Sequence, residues 1–341
     1  MGKRGASIID IARIAGVSKT TVSNVLNGTG RVGEETRNLV LQIAEREGYV
    51  ANYAAKSLRM AETKTVGILT PDISNNFLSS IVMRIERDLY ERGYTSFVCD
   101  TENDPDRESS YVVSMQQKQV DGLVFVNGTL PLNASTLPPS IPTVVVDRTL
   151  TGQYEHLASV GNDVRSMAHD MAATLIRRGC TRIAFLVVSA TSIPTEQGER
   201  YLGYMEALAE AGIRLDHKLV LRGMHKRASR MEAYILIDQL LIEGVELDGV
   251  VAIGDRVAIG AMQALAAHGR EVGTDVRVIG CDDSSFCRIC TPQLSSVLRN
   301  VSQLAARATE TLLGLMSGEE PTSRQIIIPH EVIERASTLG R

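Results

Sequence analysis

Tryptophan is absent from the 341 residues, and aromatic side chains of all kinds make up only 4% of them. Long apolar runs are missing too. The most continuous, such as Val144 to Val146 and Ile326 to Ile328, fall far short of the ~20 residues of a membrane-spanning helix, which excludes that class. Low-complexity tracts are lacking, and 44% hydrophobic with 22% charged residues is ordinary globular composition, so disorder is excluded. The five cysteines (Cys99, Cys180, Cys281, Cys287, Cys290) are odd in number and unevenly spaced, which argues against an oxidised secreted scaffold and for free thiols. Behind Lys3 and Arg4 there is no apolar core or small-residue cleavage site, so the chain is expected to stay in the cytoplasm.

Catalytic signatures are missing as well. The chain has no Gly-x-Ser-x-Gly, no phosphate-cradling P-loop and no Gly-x-Gly-x-x-Gly, and its six histidines are scattered. Cys287-x-x-Cys290, close to Cys281 and Asp282, has metal-ligand spacing. It lacks a second cysteine pair or an adjacent histidine, and Cys281 ends an apolar strand, so structural thiols are expected, with no metal and no cofactor.

What is present divides by charge. Residues 1 to 60 hold nine Lys/Arg against five Asp/Glu, while the remainder holds 27 against 35. A basic head thus precedes an acidic body, and the length suits such a head followed by a two-lobed domain. Ser7 ahead of Ile8-Ile9-Asp10 predicts a helix opened by a capping box, with Ile8, Ile11, Ala12 and Ala15 as its apolar stripe. Gly16 supplies a tight turn. Ser18 caps a second helix whose Val22, Val25 and Leu26 face the first, leaving Lys19, Thr20, Thr21, Ser23 and Asn24 outward. Such a short polar face suits hydrogen bonding to base edges in a major groove. A third helix, about Glu34 to Glu47, is expected to bury Leu39, Val40, Ile43 and Ala44 and to stop at Gly48.

The string Ile9-Asp10-Ile11-Ala12, Ala15-Gly16-Val17-Ser18, Thr21-Val22-Ser23 and Leu26-Asn27-Gly28, followed by Glu35-Thr36-Arg37 and Gly48-Tyr49, closely resembles the head of the lactose-repressor/galactose-repressor (LacI/GalR) family. The resemblance implies a sequence-specific transcription regulator, not an enzyme, with a helix-turn-helix domain at 1–50. It implies a hinge helix at 51–61, in Asn52-Tyr53-Ala54-Ala55-Lys56-Ser57-Leu58-Arg59, with Leu58 as a wedge in the minor groove. DNA contacts are then expected from Ser7, Ser18, Lys19, Thr20, Thr21, Ser23, Asn24, Asn27, Asn52, Lys56, Leu58 and Arg59. The partner would be an inverted-repeat double-stranded operator, bound by a homodimer or a tetramer. Three positions depart from the family's commonest pattern: Asn24 for a guanine-reading arginine, Gly33 for a capping serine, and Ala51 for a proline.

From Thr65 onward β-branched runs alternate with amphipathic stretches: Thr65 to Leu69, Ser96 to Cys99, Gly122 to Val126, Thr143 to Asp147, Arg182 to Val188, Gly249 to Ile253 and Arg277 to Cys281. That alternation predicts parallel sheets with helices on both faces. Arg92-Gly93-Tyr94-Thr95 is echoed by Arg178-Gly179-Cys180-Thr181, and Val120-Asp121-Gly122-Leu123 by Leu247-Asp248-Gly249-Val250, so two similar lobes are expected.

The fold class is thus an all-α helix-turn-helix head plus an α/β two-lobed, periplasmic-binding-protein-like (type I) effector domain at 62–341. The resemblance places the N-lobe at about 62–161 and 301–323 and the C-lobe at about 162–300 and 324–341. Ligands of such folds bind beyond the carboxyl ends of the strands, here between the lobes. Matched to the family, the candidate effector residues are Phe77, Leu78, Asn127, Asp147, Arg148, Arg200, His225, Asp255 and Asp282. Arginine forks and carboxylates suit vicinal hydroxyls, so a small polyhydroxylated effector such as a sugar is expected, although no tryptophan is available to stack on it. A solute-binding protein would leave the head unexplained, and a sugar kinase would need the absent phosphate loop.

Overall fold

The computed structural model describes residues 6–49, 62–128, 132–133, 137–148, 150–151, 157–187, 196–223 and 229–340, and the chain forms two compact units, Met1–Thr63 and Lys64–Arg341. The first holds α1 (Ile8–Ala15), α2 (Lys19–Asn27) and α3 (Glu34–Arg46). The expected capping box forms: Ser7 Oγ accepts the Asp10 N–H at 3.3 Å and the Asp10 carboxylate accepts the Ser7 N–H at 3.0 Å. Gly16 closes α1 in the left-handed region, at φ 66°. Gly33 opens α3 without a side-chain bond, the consequence of lacking a serine there. Ile11, Val22, Val25, Val40, Ile43 and Ala44 make the core. Leu39, expected inside, is 45% exposed, because it lies one 100° step off the stripe that residues 40, 43 and 44 form.

The second unit begins with β1 (Thr65–Thr70), α4 (Asn76–Tyr90), β2 (Thr95–Asp100), α5 (Pro105–Gln117), β3 (Gly122–Val126), β4 (Leu132–Asn133), β5 (Thr143–Val146), β6 (Leu150–Thr151) and β7 (Leu157–Gly161). The chain then crosses to a second lobe: α6 (Val164–Arg177), β8 (Ile183–Val187), α7 (Glu196–Glu210), β9 (Val220–Arg222), α8 (Arg230–Ile242), β10 (Gly249–Ala252), α9 (Asp255–Ala267), β11 (Arg277–Cys281), α10 (Phe286–Ile289) and β12 (Ser295–Arg299). It returns for α11 (Val301–Met316) and β13 (Gln325–Ile327), and crosses a third time to β14 (His330–Ile333) and α12 (Ala336–Leu339).

The sheets run β13-β7-β5-β3-β1-β2 and β14-β12-β11-β10-β8-β9, the same order twice. All their pairings are parallel except β12 with β14. One expected boundary moves. Residues 324–327 belong with the first lobe rather than the second, since Gln325 to Ile327 pair with Ser159 to Gly161 of β7.

Period-two alternation buries both faces of the central strands of each sheet. In β3, Val124 and Val126 pack toward Ile81 and Ile85 of α4 and Leu304 and Ala308 of α11, while Leu123 and Phe125 pack toward Val112 and Met115 of α5. The second sheet repeats this, with Val250 and Ala252 toward α8 and α9 and Val251 toward α6 and α7. The sequence echoes have matching tasks. Gly93 and Gly179 adopt φ of 81° and 89° to turn a helix into a strand, a conformation that costs glycine little.

Candidate DNA-binding helix and effector cleft

Helix α2 exposes Lys19 and Thr20 at its Ser18-capped N-terminus, where the backbone amides and the helix dipole favour a phosphate. Ser18 and Thr21 are tied to each other: Ser18 Oγ accepts the Thr21 N–H at 3.0 Å and lies 2.8 Å from Thr21 Oγ1. Asn27 Nδ2 donates to Ser23 O at 2.7 Å and to Ser23 Oγ at 3.2 Å. Asn24 is half-buried, its amide packed so close to Gly30 that a Cβ there would meet Asn24 Nδ2 at 2.8 Å. The α2 face thus offers Lys19 and Thr20 as projecting donors and Ser23, Asn24 and Asn27 as a polar surface braced from behind.

In the second unit the carboxyl ends of the strands face an inter-lobe cleft. A space of about 580 Å³ opens between Asn76, Phe77, Met83, Arg84 and Arg87 of α4 and Asp282 to Ser285 of the other lobe. A smaller one of about 80 Å³ lies among Asn75, Asn76, Phe77, Ile253, Asp255 and Asp282. Asn127, Asp147 and Asp282 each sit just past a strand with φ of 64°, 58° and 109°. Such backbone costs about 1–3 kcal/mol per residue and persists where surrounding contacts over-determine it.

Those contacts converge on Arg299, the last residue of β12, which is 2% exposed. Its guanidinium forms an ion pair with Asp147 of the first lobe, donates from Nη1 to Asp282 Oδ1 of the second at 3.3 Å, and lies 4.2 Å from the centre of the Phe77 ring. Its Nε donates to Asn162 Oδ1 at 3.1 Å, and Asn162 Nδ2 donates to Ile328 O at 2.8 Å. Arg299, Asn162 and Ile328 each stand at one of the three crossovers between lobes. One hydrogen-bonded chain therefore ties all three together and ends on an acid from each lobe.

Burial disfavours charge on both acids, but the Arg299 guanidinium holds the Asp147 carboxyl below the usual range. Asp282 is pushed up to about 7 by burial, against the pull of Arg299 and with Asp255 adding repulsion. The division follows geometry, since Asp147 has the closer contact. Arg200 is buried; among the described residues its hydrogen bonds run only to Ile253 O at 3.4 Å and Cys281 Sγ at 3.8 Å.

The head and the cleft have counterparts in known proteins. Residues 7–52 match the family model for bacterial regulatory proteins, lacI family, and residues 172–338 that for a periplasmic binding protein-like domain. The HTH-type transcriptional regulator RegA of Clostridium saccharobutylicum is 34% identical over 335 residues, which cover 98% of this chain and 99% of that one. The chain belongs to the LacI family. Catabolite control protein A of Staphylococcus epidermidis is 30% identical over 334 residues, with 97% and 99% covered. Among solved structures, the Lac repressor dimer bound to operator and the anti-inducer ONPF matches with TM-score 0.83 at 22% identity, covering 99% of this chain and 100% of that one. CcpA of Lactococcus lactis matches with TM-score 0.70 at 29% identity, covering 80% and 98%. This LacI-family chain is a DNA-binding transcription regulator and not an enzyme.

The structure brings Phe77, Asn127, Asp147, Arg200 and Asp282 to one place, with Asn127 Nδ2 donating to Asp147 Oδ2 at 3.3 Å. Asp255 is also there, in a positioning role: it accepts the Ser284 N–H at 2.7 Å and the Ser296 hydroxyl at 2.6 Å, fixing the loop after Asp282. Two expectations are corrected. Leu78 turns into the α4 core, and Arg148 forks onto Glu108 at 2.7 and 3.0 Å over Phe125, on the α5 side of the sheet. His225, Asn52, Lys56, Leu58 and Arg59 lie outside the described residues. Arg299 and Asn162 escaped the sequence reading. The cysteines are free thiols, Cys281 raised to about 12 by burial, and no metal-binding cluster exists among the described residues. None of the described helices is long and apolar enough to cross a membrane.

Proposed function

We propose that this regulator represses carbohydrate-utilisation genes, binding an inverted-repeat operator as a homodimer under the control of a small polyhydroxylated effector in the inter-lobe cleft. The observation that carries this is the network around Arg299, where acids of both lobes meet at the crossovers, so that a cleft occupant competes for the contacts that set the lobe angle. The relatives support it: the Lac repressor is described as a dimer on its operator, and CelR, 25% identical with TM-score 0.71, as a cellobiose complex. In the proposed scheme residues 51–61 form the hinge between head and effector domain, and Leu58 wedges into the minor groove.

A coupling of about 1–3 kcal/mol between cleft and operator gives a roughly 5- to 150-fold change in DNA affinity. Titrating fluorescent duplexes from the region upstream of its own gene with purified protein tests the reading. Preference for one inverted repeat, weakened by Leu58→Ala, is expected; equal affinity for random duplex overturns it.

A further inference from the structure

The two features by which a protein cleft holds a neutral sugar are an aromatic face and carboxylates free to accept paired hydroxyls. Both are taken here by the protein's own arginines. Arg299 covers the Phe77 ring and engages Asp147 and Asp282 together. At the mouth, Asp283 is gripped by Arg335 at 2.6 Å and Arg288 at 3.1 Å. The cleft's acids are thus already neutralised from within.

Its cations are not. Among the described residues, Arg84, Arg87 and Arg200 have no carboxylate within ion-pairing distance, although the first two line the larger space and Arg200 is 7% exposed. Arg200 has five N–H donors, and its described hydrogen bonds occupy Nη1 alone, with a carbonyl and a thiol. Arg200 feels the charges of Asp147 and Asp282, but among the described residues no carboxylate touches it, so most of its donors stay open to a ligand that brings negative charge.

We infer that the effector is an anionic polyol, whose carboxylate or phosphate is held by Arg200 beside Arg299. Arg299 is then the residue that sets effector class, because it removes the acceptors a neutral sugar needs. The inference rests on the carbohydrate-effector reading and sharpens it. The space of about 580 Å³ is lined by Phe77 and Asp282, the two Arg299 partners that reach it, together with Arg84 and Arg87.

Calorimetric titration of the full chain with matched probes tests it: D-glucose, D-gluconate and D-glucose 6-phosphate, and D-galactose, D-galacturonate and D-galactose 1-phosphate, with inorganic phosphate as the ion alone. An acidic member is expected to bind about 10- to 100-fold tighter than its neutral parent, the scale of a buried charge-assisted contact. Carboxylate and phosphate arms identify which anion it is. Arg200→Gln, whose fold is checked by an unchanged circular dichroism spectrum and a cooperative thermal melt, should erase the preference. Neutral sugars binding as tightly, inorganic phosphate binding as tightly as any sugar derivative, or an Arg200→Gln protein that keeps the preference each overturn the anionic assignment. The first and the third of these leave the carbohydrate reading standing; binding by no member of the panel overturns both.

Discussion

Replacing Arg299 by methionine keeps much of the side-chain volume and deletes the charge that joins the lobes. The loss strands Asp147, whose carboxyl is 1% exposed, as a buried anion without its counterion, and uncovers Phe77. Breaking one side of a buried pair costs about 3–5 kcal/mol, and a desolvated cation–π contact about 2 more. Asp147 can relieve part of this by taking up a proton, so a net loss of about 4 kcal/mol is expected. For a domain of this size each kcal/mol lowers Tm by about 2–4 °C, giving a fall of about 8–16 °C in thermal unfolding followed by circular dichroism at pH 7. Asp147→Asn in the same background leaves no unpaired charge, and the double variant should recover at least about 2 kcal/mol of the summed single losses. A single variant melting within about 2 °C of the parent, or a double variant that loses the full sum, refutes the picture of Arg299 as the buried key between lobes.

Asp282, pushed up to about 7, keeps its proton in the native state over a range where the unfolded chain has released it. Its contribution to stability is therefore full below about pH 4 and is lost as pH rises toward 7; Asp282→Asn should flatten the Tm-against-pH curve there and raise Tm by about 5 °C at pH 8, which a pH series of melts would read. Gly203 of α7 packs so closely on α6 that an added Cβ would collide with Arg165 O, so Gly203→Ala should destabilise by about 2 kcal/mol or more in urea unfolding. In the head, Ser7→Ala removes the capping box and should cost about 1 kcal/mol, whereas Gly33→Ser should gain a few tenths; amide hydrogen exchange in α1 and α3 distinguishes the two.

The local features of this protein were all present in its sequence. Ser7, Asp10, Gly16 and Ser18 act on neighbours within a few residues, so the head's caps and turns follow from chemistry that needs no tertiary context. The seven β-branched runs likewise became strands, six of them because burial on both faces leaves an unbroken apolar signature and β2 as an edge strand that exposes Phe97 and Val98. Family resemblance placed Phe77, Asn127, Asp147, Arg200 and Asp282 at strand ends; the structure puts Asn127, Asp147 and Asp282 there, and Phe77 and Arg200 in the helices α4 and α7 that follow strands. What the resemblance could not reveal was their occupancy. Strand β12 reads Ser-Ser-Val-Leu-Arg, a polar string with no strand signature, and it is buried only because Ser295 and Ser296 find partners in Arg335, Thr338 and Asp255. Arg299 ends that strand, and its partners Asp147 and Asn162 lie more than a hundred residues earlier, brought to it by the crossovers between lobes. Sequence alone thus determined what this protein is, since caps, periodicity and motif are local. Only the tertiary structure decided which charges in its cleft remain open to a ligand, because pairing in a buried site depends on distances that no spacing along the chain encodes.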